Sequence, residues 1–496
     1  MPIRIKLMHA CSQRLNSLIS PLGRLVGADG LIVDAETLMA SAAQVAQALS
    51  EHLAEGEAIG LLADNSVDWV VADLGMQALK ITVVPIPGFF TPAQVQHLLQ
   101  ARQIRVVIAA KDSPPAFVES WLPPLAILGL EDLALYKRHA DTPLALPAAA
   151  YEKVTFTSGS TAEPKGIRLT VEQQWTVAKS LDMTLSSLQL RRHLVMLPLS
   201  VLLENLAGVY VGLSMGAEVI VPPLSATGLT GSSGFNAQQA IKLIQETGAE
   251  SLITLPQMLR ELTCTLESAK INLPHLKFVA VGGGKVAPDL IHRARKQGLP
   301  VFEGYGLSEL SSVVALNLPQ ADRVGSVGKP LPHVQVKIAE DGEILVGPAS
   351  VCLERVGAET KASWIATGDL GRIDQDGFVY VTGRKKNLLI TGFGRNVSPE
   401  WPEALLVAHD AIAQAYVFGE AQPKLSALIY PRRANTPRDV LDAAIDQINS
   451  ALPDYAQIGD WHLLPEPFSF GNGLLTANGR MKRGEIADRY APTLSS

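Results

Sequence analysis

Residues 31–110 alternate short, almost wholly apolar runs with longer segments of helical period, and that alternation leaves few folds open. The segments 36–53 and 67–79 repeat small and apolar residues on one face. The runs 58–62, 82–86 and 106–109 are short and apolar throughout, as a strand buried on both faces requires. Thr91 and Pro92 open a further helix over 91–101, with Thr91 as N-cap and Pro92 at the first position. This β-α-β-α order predicts an α/β fold, a parallel sheet with helices on both faces. The pattern returns after residue 190, with strand-like runs at 194–197, 218–221, 251–255, 278–281 and 301–303 and helices at 237–247 and 256–266. From about residue 325 it gives way to short strands with Asp/Gly turns, Glu340-Asp341-Gly342 and Asp374-Gln375-Asp376-Gly377, which predict a smaller β-rich subdomain. The basic turn Gly383-Arg384-Lys385-Lys386 follows, and the rest reads as a small α+β domain. The stretch 227–235 reads as a surface loop.

At 496 residues the chain is long enough for two to four domains or subdomains, and its 47% hydrophobic content excludes disorder. Lys and Arg total 42 against 48 Asp and Glu, a formal charge of -6. That balance argues against general nucleic-acid or polybasic membrane binding. Cys11, Cys264 and Cys352 stand alone, in no zinc or disulfide spacing, which suits a reducing compartment. Residues 1–10 carry no signal-peptide pattern. The most apolar stretch, 201–224, is broken by Glu204, Asn205, Glu218 and two prolines, so no transmembrane helix is expected and a cytoplasmic protein is.

The chemistry concentrates in a few short segments. After a strand-like run at 153–156 come Thr157, Ser158, Gly159, Ser160, Thr161, Ala162, Glu163, Pro164, Lys165 and Gly166. Hydroxyls and glycines together can wrap donors around phosphate oxygens, and Lys165 adds a point charge. This is not the GxxxxGK[ST] nucleotide loop, because no Gly-Lys-Ser/Thr follows. Three further segments stand out: Gly282-Gly283-Gly284, Glu303-Gly304-Tyr305-Gly306-Leu307-Ser308-Glu309, and Thr367-Gly368-Asp369 followed by Arg384. Glycines without Cβ admit a flat ring to the backbone, a carboxylate accepts from a diol, and a hard cation wants carboxylate and phosphate oxygens.

In order and spacing these segments resemble the motifs of the adenylate-forming superfamily, which includes acyl-CoA synthetases, luciferases and peptide-synthetase adenylation domains. The resemblance begins near residue 35, includes Asn65-Ser66-Val67-Asp68-Trp69, and reaches Arg483. It implies a large N-terminal domain over 1–384, built of parallel α/β subdomains and a β-rich subdomain, and a small mobile α+β domain over 385–496, with a hinge at Lys386. It implies that Thr157, Ser158, Gly159, Ser160, Thr161 and Lys165 bind ATP phosphates, with Ala162 departing from the usual glycine. Gly282, Gly283 and Gly284 would form an adenine-binding turn, Tyr305 would stack near the adenine, Glu303 and Gly306 would belong to the same nucleotide site, Ser308 would contact phosphate, and Glu309 would hold Mg2+. Asp369 would bind the ribose hydroxyls, with Arg384 near ribose and phosphate.

Two departures from the family pattern bear on the chemistry. The family's C-terminal lysine, which orients carboxylate and α-phosphate, corresponds in register to Arg480. Either Arg480 substitutes directly, or Lys482 swings in, or adenylation is weakened; arginine keeps the charge but presents a fork instead of a point. Val201 stands where many relatives place His or an aromatic residue at the border of the acyl pocket, and it leaves that wall apolar. Glu204 and Asn205 either cap a helix or line the pocket. The segments 391–401 and 468–476 look like the fatty acyl-CoA synthetase branch, with Gly392 and Gly394 admitting a pantetheine arm. The implied reaction is ATP-dependent activation of a small-molecule carboxylate, expected to be a fatty acid, to acyl-AMP and then transfer to CoA. The alternatives are transfer to an acyl carrier protein or an amine, and a degenerate protein that binds nucleotide without turnover.

Overall fold

The computed structural model describes residues 18–494 apart from 54–56, 80, 102, 113, 119–120, 139–151, 158–164, 231–233, 348–363, 393 and 477–478. Among the described residues two large sheets dominate. The first runs Leu125–Ala126, Leu133–Lys137, Val106–Ala110, Ala58–Leu62, Thr82–Pro85, Glu152–Thr157 and Lys165–Thr170 from edge to edge. Its four inner strands, from Val106–Ala110 to Glu152–Thr157, are parallel, and the edges are antiparallel. The second carries six parallel strands in the order Val301–Leu307, Phe278–Val281, Ser251–Thr254, Arg192–Leu194, Glu218–Val221 and Arg24–Gly27. Antiparallel strands Ser312–Leu316 and Lys329–Pro330 extend one edge, and Ile32–Asp34 the other.

Local chemistry starts the helices that cover these sheets. Asp34 accepts from the Thr37 amide ahead of Ala35–His52, and Ser66 accepts from the Trp69 amide ahead of Val67–Gln77. These two helices pack closely at Gly75, where a Cβ would stand 2.8 Å from the Ala42 carbonyl oxygen. A capping box of Thr170 and Gln173 opens Val171–Leu185. One buried cluster, including Leu38, Trp69, Trp175, Tyr210 and Val219, runs through both sheets and makes them a single body.

A four-stranded antiparallel sheet follows, formed by Gln335–Ile338, Glu343–Gly347, Ile365–Ile373 and Val379–Arg384. The remaining lobe packs helices Glu400–Ala408 and Arg438–Asn449 on the strands Ile412–Phe418, Leu425–Pro431 and Ile458–Leu463, around its own core. Arg483–Leu494 is its last helix. No helix among the described residues is long and apolar enough to cross a membrane.

Two local expectations differ from what the chain does. The strand expected at 194–197 is Arg192–Leu194. It ends early because the amides of Met196 and Leu197 donate to the Glu204 carboxylate at 3.3 and 2.9 Å, which draws the chain out of the ladder. The stretch 227–235 is not simply a loop: Leu229–Thr230 pairs antiparallel with Gly234–Phe235.

Candidate active site

A cavity of about 1710 Å³ opens where the carboxyl ends of the second sheet meet the four-stranded sheet and the last lobe. Gly282, Gly283 and Gly284 form the turn after strand Phe278–Val281, and all three line the cavity. Gly283 has φ +82°, a left-handed conformation that disfavours other residues. Behind the turn lies Glu303, only 6% exposed, whose carboxylate accepts the Val286 amide. Burial pushes its pKa up to about 8, against the pull of that hydrogen bond and of Lys285.

Glu303 begins the motif carried by strand Val301–Leu307 and the 3-10 turn Ser308–Leu310. The strand register shifts between Tyr305 and Gly306, and a Cβ at Gly306 would collide with the Ser312 carbonyl oxygen. This irregularity turns Tyr305, Ser308 and Glu309 into the cavity. Ser311 and Ser312 follow with φ of +52° and +93°, a run of backbone strain in non-glycine residues of the kind that collects at functional sites.

The four-stranded sheet supplies Asp369 and Arg384, which are directly paired across neighbouring strands. Arg384 Nε lies 2.7 Å from Asp369 Oδ1, and the Tyr305 hydroxyl donates to Asp369 Oδ2 at 2.6 Å. Asp369 is 3% exposed; burial raises its pKa, and Arg384 and then Tyr305 oppose the rise. Burial, followed by the Asp369 charge, drives the Tyr305 hydroxyl pKa well above its ordinary value, so it stays a donor.

The last lobe sends Arg480 into the same cavity. Its loop is held by Thr476, whose amide donates to the Arg480 carbonyl at 2.6 Å and whose hydroxyl accepts the Arg480 amide at 3.0 Å. Arg480 Nη2 donates to the Gly283 carbonyl at 3.3 Å. The side chain meets solvent inside the cleft yet is walled by protein. Desolvation and then the Arg384 charge lower its pKa, while Asp369 and Glu309 oppose them. An arginine so shifted stays charged. Lys482 lines the cavity too.

The structure thus brings together Gly282, Gly283, Gly284, Glu303, Tyr305, Gly306, Ser308, Glu309, Asp369, Arg384, Lys386, Arg480, Lys482 and Val201 around one cavity. Ser158, Gly159, Ser160 and Thr161 lie outside the described residues. Thr157 and Lys165 stand opposite each other at the ends of two antiparallel strands. Gly392 and Gly394 are not among the cavity's lining: Gly392 donates to the Gln422 carbonyl at 2.8 Å, and Gly394 turns with φ +73°. Glu204 and Asn205 neither cap a helix nor line the cavity; both are buried in the π-helical segment Glu204–Tyr210. Glu204 holds His193 Nε2 at 3.0 Å and the two amides at 196–197. Lys285 was missed from the sequence. It lines the cavity, and its ammonium reaches the Thr382 carbonyl at 3.5 Å; a cation directly after three glycines was the available signal.

Much of the cavity's lining is apolar, and we refer to that part as its apolar arm. Leu181 and Leu185 from helix Val171–Leu185, Val211 and Met215 from helix Val211–Met215, and Phe278 and Leu316 from the sheet all line it.

Parallel sheets with a buried carboxylate–arginine pair, a glycine turn and a cation delivered from a small last lobe are the arrangement of an adenylate-forming enzyme. The chain belongs to the AMP-binding enzyme family: residues 35–351 match that family and residues 386–496 match its C-terminal domain. It is similar to the long-chain-fatty-acid–CoA ligase FadD15 of Mycobacterium bovis, at 36% identity over 244 residues, 43% of this chain and 41% of that one. The match therefore spans about two fifths of that relative's length. It is also similar to a 2-succinylbenzoate–CoA ligase of Bacillus pumilus, at 27% identity over 390 residues, 74% of this chain and 76% of that one. Among solved structures, the anthranilate CoA ligase AuaEII in complex with anthranoyl-AMP shares the fold, with a TM-score of 0.80 at 19% identity over 99% of this chain and 98% of that one.

Proposed function

We propose that the chain is an ATP-dependent acid–CoA ligase whose acid carries a long aliphatic tail. The observation that carries this reading is the junction of a polar nucleotide-type cleft with a buried apolar arm in one cavity. Val201, Leu202, Leu203, Ala207, Val211 and Met215 contribute apolar side chains to its lining. Leu181, Leu185, Val211 and Phe278 are each under 9% exposed and offer the tail no polar partner of their own.

In the first half-reaction a carboxylate oxygen attacks the α-phosphorus of ATP, the bond to the β-phosphate bridge breaks, and pyrophosphate leaves. In the second, a CoA thiolate attacks the acyl carbon and AMP leaves with the bonding electrons. Asp369 takes the ribose hydroxyls and Arg384 keeps its carboxylate charged and aimed. The loop from Thr157 to Lys165 takes the outer phosphates, and Ser308 adds a donor. Arg480 occupies the place of the family's lysine, and its charge opposes the charge building between carboxylate and α-phosphate. Glu309 fits a Mg2+ ion, which commonly takes one or two carboxylates and completes its shell with phosphates and water. No larger cluster of metal-ligating side chains gathers among the described residues. The bound ion would neutralise phosphate charge.

We place the boundary between the two domains at 384/385 and the hinge at Lys386. The 3-10 turn Lys385–Asn387 supports this, lying between the Asp369–Arg384 pair and the Asn387–Glu400 hydrogen bond of 2.5 Å. The isolated cysteines suit a cytoplasmic setting.

The test is pyrophosphate release with ATP, Mg2+ and carboxylates from acetate to palmitate, together with 2-succinylbenzoate, with and without CoA. The expected result is CoA-dependent turnover that rises with chain length, reduced about 10²–10³-fold in Arg480→Ala, the usual cost of one preorganised charge-stabilising group. Turnover with the aromatic acid alone overturns the aliphatic assignment. Acyl-AMP that accumulates in the presence of CoA overturns CoA as acceptor and points to a carrier protein or an amine.

A further inference from the structure

The helix that walls the apolar arm is not a regular α-helix. Residues Glu204–Tyr210 form a π segment, seven residues long, before the α-helix Val211–Met215. π turns are rare and need a cause. The cause lies on the face turned away from the arm. Lys153, on the strand that leads into the phosphate loop, is 2% exposed, and its ammonium lies 2.9 Å from each oxygen of Asp73. The same ammonium donates to Asn205 Oδ1 at 2.6 Å and to the Tyr210 hydroxyl oxygen at 2.9 Å. Asp73 Oδ2 in turn accepts from Asn205 Nδ2 at 3.1 Å and from the Tyr210 hydroxyl at 2.6 Å. The Gln77 amide also donates to the Tyr210 oxygen, Trp175 Nε1 donates to Gln77 at 3.1 Å, and the Trp175 ring stacks on Tyr210 at 4.6 Å.

Asn205 and Tyr210 are five residues apart, and both meet the same buried ion pair. In an α-helix five residues advance about 500°, which leaves the two side chains roughly 140° apart. In a π segment, with about 4.4 residues per turn, five residues advance about 410°, which brings positions 205 and 210 to within roughly 50° of each other. A fixed pair that must be met by both side chains therefore selects the π geometry. Buried ion pairs are poor stabilisers, and setting a register is their best-attested use. The register matters because Ala207, Val211 and Met215, on the same helix, line the cavity. Their direction about the helix axis depends on how the turns before them are wound.

We propose that Lys153 is a positioning residue for acid recognition: with Asp73 it holds the helical wall of the apolar arm in its π register and so sets which tails the arm accepts. This rests on the acid-ligase reading. It goes beyond that reading by giving a specificity role to a side chain that does not touch the acid.

The experiment compares the wild-type chain with Lys153→Met/Asp73→Leu, which removes both charges together and leaves no unpaired ion, and with Tyr210→Phe, which keeps the stacked ring and removes only the hydroxyl link. Each is assayed for pyrophosphate release with acids of six to eighteen carbons, and each is crystallised. The expected result is a change of tenfold or more in the ratio of kcat/KM between long and short acids, with KM for ATP within twofold of wild type. In the double variant, 204–210 should rewind as α-helix. Rates that fall in parallel for every acid, with the ratio unchanged, overturn the proposal. So does a double variant that keeps its π segment, and this structural readout stands even if no acid in the panel is a substrate. A wild type inactive with every acid would count against the ligase reading alone.

Discussion

Arg260 gives the most direct measure of what holds the last lobe against the rest of the chain. It sits on helix Pro256–Ala269, is 3% exposed, and its Nη2 donates to the carbonyls of His409 and Ile412 at 2.8 and 2.7 Å. Both acceptors belong to the last lobe. Each hydrogen bond from a charged donor contributes about 1.5–3 kcal/mol net, so the pair sets an upper bound of about 3–6 kcal/mol. The cost of burying the guanidinium offsets part of this, and methionine at 260 would keep much of the stem packing. Arg432 remains, holding the Asp410 carbonyl at 3.1 Å and Glu261 at 2.7 Å. The expected loss in Arg260→Met is therefore about 2–3 kcal/mol, or about 30–150-fold in the equilibrium between docked and undocked lobes. Only the docked lobe presents Arg480 at Gly283. ATP–pyrophosphate exchange should therefore fall, by up to that factor, while consumption of preformed acyl-AMP by CoA stays within about twofold. Limited proteolysis should cut faster near 385–387. Equal losses in both half-reactions, or unchanged exchange, would refute the reasoning, because the arginine would then be either a general stabiliser or irrelevant to docking.

Two further outcomes follow from the same geometry. Asp369→Asn keeps the shape but removes the charge opposite Arg384, and ATP should bind about 10–100-fold more weakly by titration calorimetry; unchanged affinity would remove Asp369 from the nucleotide site. Glu303 has a folded pKa of about 8 against 4.5 unfolded, so the folded chain holds a proton that the unfolded chain releases across that window. Stability is therefore lost as pH rises from about 4.5 to 8. Glu303→Gln can still accept the Val286 amide and removes this loss. Its Tm relative to wild type should climb by several degrees between pH 5 and pH 9, at about 2–4 °C per kcal/mol, and parallel pH profiles would contradict the assignment.

What the sequence discloses of this fold is mostly local. The helices at 35–52 and 67–77 and the strand at 58–62 are announced by their apolar period, and the structure adds the caps, where one side chain and an amide three residues on decide where a helix starts. The site segments were legible for a similar reason. The Gly282–Gly284 turn and the Tyr305 motif are contiguous, and each follows a strand whose end is set by its own residues. The pairing of Asp369 with Arg384 is a long step in sequence, yet the Asp374–Gly377 turn fixes the register of the two strands that bring them opposite each other.

The π segment was beyond such reading, and the reason is physical. From 201 to 215 the sequence has an apolar helical pattern interrupted by Glu204 and Asn205, and nothing within it says that those two side chains are satisfied. The partners of Asn205, Asp73 and Lys153, are supplied from far away, and those of Glu204, His193 and the amides of Met196 and Leu197, from the strand end just before it. Buried polar groups in an apolar helix have to be paired, but the sequence does not say with what. The choice between capping, lining and cross-linking is made only when the strand carrying Lys153 comes to lie beside the helix carrying Asp73. The same separation explains Arg260, which reads as an ordinary charge on an amphipathic helix until the turn at 409–412, about 150 residues later, covers it. In this chain the groups proposed to meet the nucleotide are local in sequence. Those proposed to set the shape of the acid's arm and the docking of the last lobe are buried charges whose partners are remote, and they are the positions where a substitution should change selectivity or half-reaction balance without touching a reacting atom.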